Sequence, residues 1–222
     1  MNGFADVILL AVIAGAIIVQ LIRALGNTKY DNGARPAEDS AEQQARPDAS
    51  DAVSATTQAV APEEEPFADE IEKIRKHDPR FSLRHFLDGA ETAFSMIVEA
   101  FAKGDKATLE SLTGDDLYKA FSSAIDERNA KGQTQETLLV KIAQTSCKHV
   151  ELDRHLCRIV ASFISEQIVH TKDKEGNTAS GHPSRIHHVH DVWTFERNVR
   201  KADPTWRLVR SFSEEENTGS TV

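Results

Sequence analysis

From residue 83 onward the chain changes its hydrophobic period once. Phe86, Ala90, Phe94, Ile97, Val98 and Phe101 recur every three or four residues, which predicts an amphipathic helix over 83–103. Gly104 suits a left-handed C-cap, and Asp105 can N-cap a short second helix running to about Leu112. Thr113 to Asp116 reads as a capping box with Asp in the usual Glu place. It opens a third helix, with Leu117, Phe121 and Ile125 four apart, that runs to about Ala130 and closes at Gly132. Beyond that point the period falls to two. Segments 146–150, 157–170, 186–197 and 206–212 then read as four strands, with turns near 152–154, 172–177 and 202–204. Helices first and antiparallel strands afterwards predict an α+β fold, with about three helices on one face of a curved four-stranded sheet.

The first part of the chain has neither period. Residues 4–22 read FADVILLAVIAGAIIVQLI, with thirteen unbroken apolar residues from Val7 to Val19. Phe4 to Leu25 as a helix would be about 30 Å long, one hydrocarbon thickness. No Lys or Arg precedes the run, so it reads as a transmembrane anchor over 4–25 rather than a secretory signal. Arg23, Lys29 and Arg35 follow it, which predicts the N-terminus outside and the rest at the cytoplasmic face of the inner membrane. Residues 27–70 carry eleven Asp or Glu against three Lys or Arg, and only two aromatics. Such a composition offers little to bury, so 26–70 is expected to be a disordered acidic linker. As a flexible coil its reach would be about 5–6 Å times the square root of its residue count. The folded domain is then expected over 71–213, with a disordered tail at 214–222.

Charge and composition narrow the function. The net charge is -9. That repels nucleic-acid phosphate, so no nucleic-acid partner is expected. The two cysteines, Cys147 and Cys157, make no CxxC and no disulfide framework, which favours a reducing compartment. No nucleotide-binding, nucleophile-elbow or HExxH pattern occurs, and no cofactor is expected.

Several segments resemble the Tim44-like domain. They are IRKHDPRFSLRHFLDGAETAFSMIVEAFAKGDKATLESL (74–112), FISEQI (163–168), DVWTFERNV (191–199) and DPTWRLV (203–209), in the family's order. The span plus acidic linker looks like the alphaproteobacterial membrane-anchored branch called TimA. The resemblance implies an NTF2-like cone, with helices wrapped over a curved sheet around an apolar pocket. It implies a non-enzymatic role: mitochondrial members tether an Hsp70 motor to the import channel, or hold the ribosome at the inner membrane. The import protein's long charged helical segment has no counterpart here, so a specific Hsp70 partner does not carry over.

Four sets of residues are candidates for chemistry or binding. Lys73, Arg75, Lys76, Arg80 and Arg84 are interleaved with Ile71, Ile74, Phe81 and Leu83, a basic amphipathic stretch over 71–86 suited to docking on anionic lipid. The rival reading is a solvated helix face ending at Asp78 and Pro79. Cys147, His149, His155 and Cys157 are symmetric about Leu152. A hairpin centred there would gather them on one face as a zinc-type set, against the preferred reading of two core thiols. In RIHHVHDVWTF (185–195), alternation puts His188 and His190 on one face, and His187 with Asp191, Trp193 and Phe195 on the other. The rivals to a plain polar strand end are a metal held at i, i+2 with help from His170 or His182, and acid–base catalysis by Asp191. Finally, Phe94, Phe101, Phe163, Trp193, Phe195 and Trp206 are expected to be core, with some of them lining a pocket. The leading expectation is a membrane-anchored, non-enzymatic adaptor for a protein partner. A lipid or small-ligand module and an NTF2-like enzyme are the alternatives.

Overall fold

The computed structural model describes residues 61, 63–201, 203 and 205–215. The span expected over 4–25, most of the acidic linker and the end of the tail lie outside the described residues. Among those described, no helix is long and apolar enough to cross a membrane.

Order begins earlier than the composition suggests. A 3-10 turn at Glu65–Phe67 leads into α1 (Ala68–Arg75). Two observations explain why so acidic a segment folds. Ile71 and Ile74 are buried in the core, and the Glu64 carboxylate, only 3% exposed, accepts from Arg75 Nη2 at 2.7 Å and from the Leu83 backbone N–H at 3.0 Å. The C-terminal end of the expected linker, 63–70, is therefore part of the domain.

The three predicted helices follow as α2 (Leu83–Lys103), α3 (Lys106–Leu112) and α4 (Asp115–Ala130), so the domain has four α-helices rather than about three. Gly104 ends α2 at φ 74, and Asp105 caps α3 by accepting from the Thr108 N–H at 3.1 Å. The expected capping box does not form. Gly114 is the N-cap of α4, and the Thr113 hydroxyl turns back to donate to the Leu109 carbonyl at 2.7 Å.

Five strands make one sheet: β1 (Thr134–Asp153), β2 (Leu156–Lys172), β3 (Thr178–Gly181), β4 (His187–Asn198) and β5 (Arg207–Glu215). Their order is β1-β2-β4-β5, antiparallel throughout, with β3 pairing the end of β2. Two parts of the sheet lay outside the sequence expectation, the short β3 and the first half of β1. That half is hidden because two of the three register shifts in the pairing of β1 with β2 fall in it, between Leu139 and Lys141 and between Ile142 and Gln144, with the third between Cys147 and His149. Each inserts a residue, so the inward positions run Leu139, Ile142, Thr145, Cys147, Val150 and Leu152 and the period-two signal is lost.

The helices cover one face of this sheet. Phe94 on α2 lies 4.7 Å from Phe163 of β2 and 4.6 Å from Trp193 of β4, ring centroid to ring centroid. Around them Ile97, Leu109, Ile125, Ile159, Ala161, Phe195 and Leu208 are almost fully buried. The loop into α4 closes the β5 side, where the Gly114 N–H donates to the Leu208 carbonyl at 2.8 Å.

Candidate functional site

The first half of α2 forms one wall of an open groove of about 770 Å³. Phe86, Ala90, Ala93 and Met96 face into it from α2, Phe81 from the preceding loop, and Phe195 and Trp206 from the sheet side. Phe86 packs 4.8 Å from Trp206 and 5.7 Å from Phe195. Met96 is 45% exposed, and a Cβ added at Gly89 would touch nothing within 4 Å, so the wall is open along its length.

One end of the groove is polar. Arg197 on β4 donates from Nη2 to Asp78 Oδ2 at 2.8 Å, and its guanidinium stands 5.0 Å from the Trp206 ring. The arginine side chain is only 10% exposed, and its Nε has no hydrogen-bond partner among the described residues. That hydrogen bond holds the Asp78 carboxyl below the usual carboxylate range. Arg80 and His85 stand at the same end.

The aromatic set divides accordingly. Phe94, Phe163 and Trp193 are core, and Phe101 packs at 5.3 Å against Phe121, beneath Arg128. Of the six expected aromatics, Phe195 and Trp206 reach the groove. The remaining apolar wall comes from α2 and the loop before it. A helical stripe that is half core and half groove gives one signal in sequence, so those residues read simply as core.

The basic stretch is less free than its sequence implies. Its apolar members Ile71, Ile74, Phe81 and Leu83 are all buried, so they have no surface to offer a bilayer. Arg75 is withdrawn from the docking set. It is clamped to Glu64 through Nη2 and donates from Nε to the Phe81 carbonyl at 3.0 Å. Lys73 pairs with the half-buried Glu70, and on exposed side chains Lys76 pairs with Glu72 at 3.8 Å and Arg84 with Asp88 at 3.4 Å. Lys73, Lys76, Arg80 and Arg84 remain at the surface.

The Cys/His set is not assembled. The hairpin turns on Arg154 and His155, with Arg154 at φ 56, and not about Leu152. Cys157 therefore faces Leu152, Cys147 faces Ala161, and His149 faces Val160. Both thiols lie on the core side. Burial pushes Cys147 up to about 11 and Cys157 up to about 12, which leaves little thiolate for chemistry at neutral pH.

RIHHVHDVWTF splits across β4 as alternation requires. His190 stands beside Ser162, Nε2 to Oγ 2.8 Å, on the face away from the helices. Asp191 points into the core, 4% exposed, where it accepts from the Ser213 hydroxyl. Burial pushes its carboxyl up to about 6, while Ser213, the nearby Trp193 indole and His190 draw it part of the way back. Among the described residues, Thr145 Oγ1 has no hydrogen-bond partner. The groove does not reach Asp191. Of the neighbours expected to complete a metal site, His170 stands away from the β4 histidines. His170 pairs with Glu136 and Gly181, beyond the start of β4, and binds Thr178 Oγ1 at 2.9 Å.

Residues 67–211 match the Tim44-like domain. The chain is 24% identical over 147 residues to the mitochondrial import inner membrane translocase subunit TIM44-1 of Arabidopsis thaliana, covering 64% of this chain and 31% of that protein. It is 23% identical over 149 residues to a probable mitochondrial import inner membrane translocase subunit, tin-44, of Caenorhabditis elegans, covering 65% and 35%. It thus spans about a third of the length of each. Among solved structures it is similar to the intermembrane space region of the chloroplast protein ARC6, with TM-score 0.43 and 14% identity over 62% of this chain and 99% of that one. It is also similar to a ketosteroid isomerase-like protein from Erwinia carotovora atroseptica, with TM-score 0.35 and 10% identity over 59% and 95%. Likeness that distant carries no argument about activity. The family match spans well over half of the chain and coincides with the fold from α1 to β5, and the protein belongs to the Tim44-like domain family.

Proposed function

We propose that the protein is a membrane-anchored, non-enzymatic adaptor that holds a protein partner at the cytoplasmic face of the inner membrane, in protein translocation or membrane-protein assembly. The observation that carries this reading is the Tim44-like match over 67–211, whose relatives are named as inner-membrane import translocase subunits. The apolar run at 4–25 supports it as the anchor, and the acidic segment behind it as the tether that sets the domain's reach. The finer assignments, a TimA-type adaptor with an NTF2-like cone, belong to the same proposal. Tethering raises the local concentration of partner and membrane without any new contact.

Docking of the domain on anionic lipid, through Lys73, Lys76, Arg80 and Arg84, is part of the reading. Each cation near such a surface contributes about 1 kcal/mol, but three of these four already face a carboxylate. The docking is therefore weak and salt-sensitive, an aid to the anchor rather than a replacement for it. The groove supports a second reading, a lipid or small-ligand site, because aromatic walls with one polar end suit an amphiphile.

In-cell crosslinking with mass spectrometry on the full chain tests the adaptor. Recurrent crosslinks from α1 and α2 to inner-membrane assembly or translocation proteins are expected. Absence of any enriched protein, with lipid co-purifying in the groove, would shift the conclusion to the second reading.

A further inference from the structure

The outer face of the sheet, turned away from the helices, gathers residues that lie far apart in sequence. Glu166 on β2 stands directly opposite His188 on β4. One step along, His190 stands opposite Ile164 on one side and Glu214 on the other. The two histidines are thus neighbours on one strand face, flanked by a glutamate position on each adjoining strand. His188 Nδ1 is already 3.9 Å from Glu166 Oε1, and the His188 side chain is 49% exposed.

We propose that Glu166, His188 and His190 bind a divalent transition-metal ion of the zinc class on this outer face. The donor set is two imidazoles and one carboxylate, which suits zinc and its neighbours and excludes a hard-cation site built only of oxygens. The spacing also fits. Same-face residues two apart lie about 6.6–6.8 Å from each other, and directly opposed residues about 4.5–5.5 Å, so three side chains of this length can meet above the sheet.

In the present arrangement the ligands are not drawn together, and no ready-made metal cluster occurs among the described residues. Two replaceable contacts hold them apart. His190 is turned to the Ser162 hydroxyl, and Lys141 Nζ sits 2.9 Å from Glu166 Oε1. One is an uncharged hydrogen bond. The other is an ion pair whose lysine is 57% exposed. Both are weak beside metal coordination. A divalent cation takes the place of the Lys141 ammonium at Glu166, and His190 swings from Ser162 toward it. The bound ion would pin β2 to β4 beside the exposed Ile164 and Val140, across a face that none of the described helices braces.

The test uses the metal-stripped full chain in detergent, titrated with Co²⁺ and then Zn²⁺. One Co²⁺ per chain is expected, with visible d–d absorption, no sulfur-to-cobalt charge-transfer band, and displacement by Zn²⁺. The ring resonances of His188 and His190 should shift together. His188→Gln and His190→Gln should each weaken binding at least about tenfold, and the double variant should abolish it. His149→Gln with His155→Gln should leave it unchanged. Absence of stoichiometric binding, a thiolate charge-transfer band, or binding retained in a natively folded double variant would each overturn the proposal. If the double variant loses its native circular dichroism, the wild-type resonances decide, and failure of His188 and His190 to move overturns it.

Discussion

Asp191→Asn should make the stability of this protein depend on pH in the opposite sense from an ordinary carboxylate substitution. Asp191 is 4% exposed on the core side of β4, and burial raises its carboxyl from the ordinary 3.8 to about 6. A folded-state value above the unfolded one means that the fold prefers the protonated acid. Below about pH 3.8 both states are protonated and the group costs nothing. As pH rises from 3.8 to 6 the unfolded chain ionises first and gains an advantage. Above 6 both are ionised, and the full penalty of about 3 kcal/mol is carried by the fold. Asparagine removes this penalty at pH 7.5 but brings a buried N–H₂ that costs about 1–3 kcal/mol if unpaired. It can still accept from Ser213. The packing and pairing costs of asparagine are the same at every pH. They therefore cancel when the stability change on substitution is compared between pH 4 and pH 7.5, leaving about 2–3 kcal/mol in favour of the variant at the higher pH. Urea unfolding of wild type and variant at the two pH values, followed by tryptophan fluorescence, measures this directly. A substitution effect that is equal at both pH values would refute the argument, since Asp191 would then titrate as an exposed acid.

Three further outcomes follow from single contacts. Glu64→Gln should destabilise the domain by about 2–4 kcal/mol, because it leaves Arg75 without its anion; Arg75→Met added to it should recover part of the loss in thermal melts, and no recovery would count against the pair. Gly181→Ala should unpair β3 from β2, since a Cβ there would sit 2.1 Å from the Val169 carbonyl oxygen at φ 69; loss of amide-exchange protection at Thr171 and Ser180, with β2–β4 pairing retained, checks it. Cys147 and Cys157, pushed up to about 11 and 12 by burial, should resist iodoacetamide at pH 8 in the folded protein and react at the ordinary rate in urea; mass spectrometry follows both sites.

Local signals settled a large part of this fold. Helix α2 is written in the spacing from Phe86 to Phe101 and in Gly104, which takes up φ 74. Strand β4 is legible because alternation sends Asp191, Trp193 and Phe195 inward and His188 and His190 outward, as the structure has them. The segments that resemble the Tim44-like domain fall on α1 to α3, β2, β4 and β5. Each of these signals is short-range, because helix caps and strand alternation depend on residues a few positions apart.

Local patterns along the chain therefore carry its α+β class, most of its elements and its family. Register and environment were decided only in three dimensions. Three bulges erase the period of β1, and the turn falls at Arg154 and His155, so Cys147 meets Ala161 and the expected Cys/His set never forms. Arg75 reads as a surface cation until Glu64 closes on it, and Glu166 has no visible link to His188 until β2 pairs with β4. A one-residue change of register moves every side chain of a strand to the opposite face. Register is chosen by the fit of the whole sheet beneath the helices, and no local pattern encodes that fit.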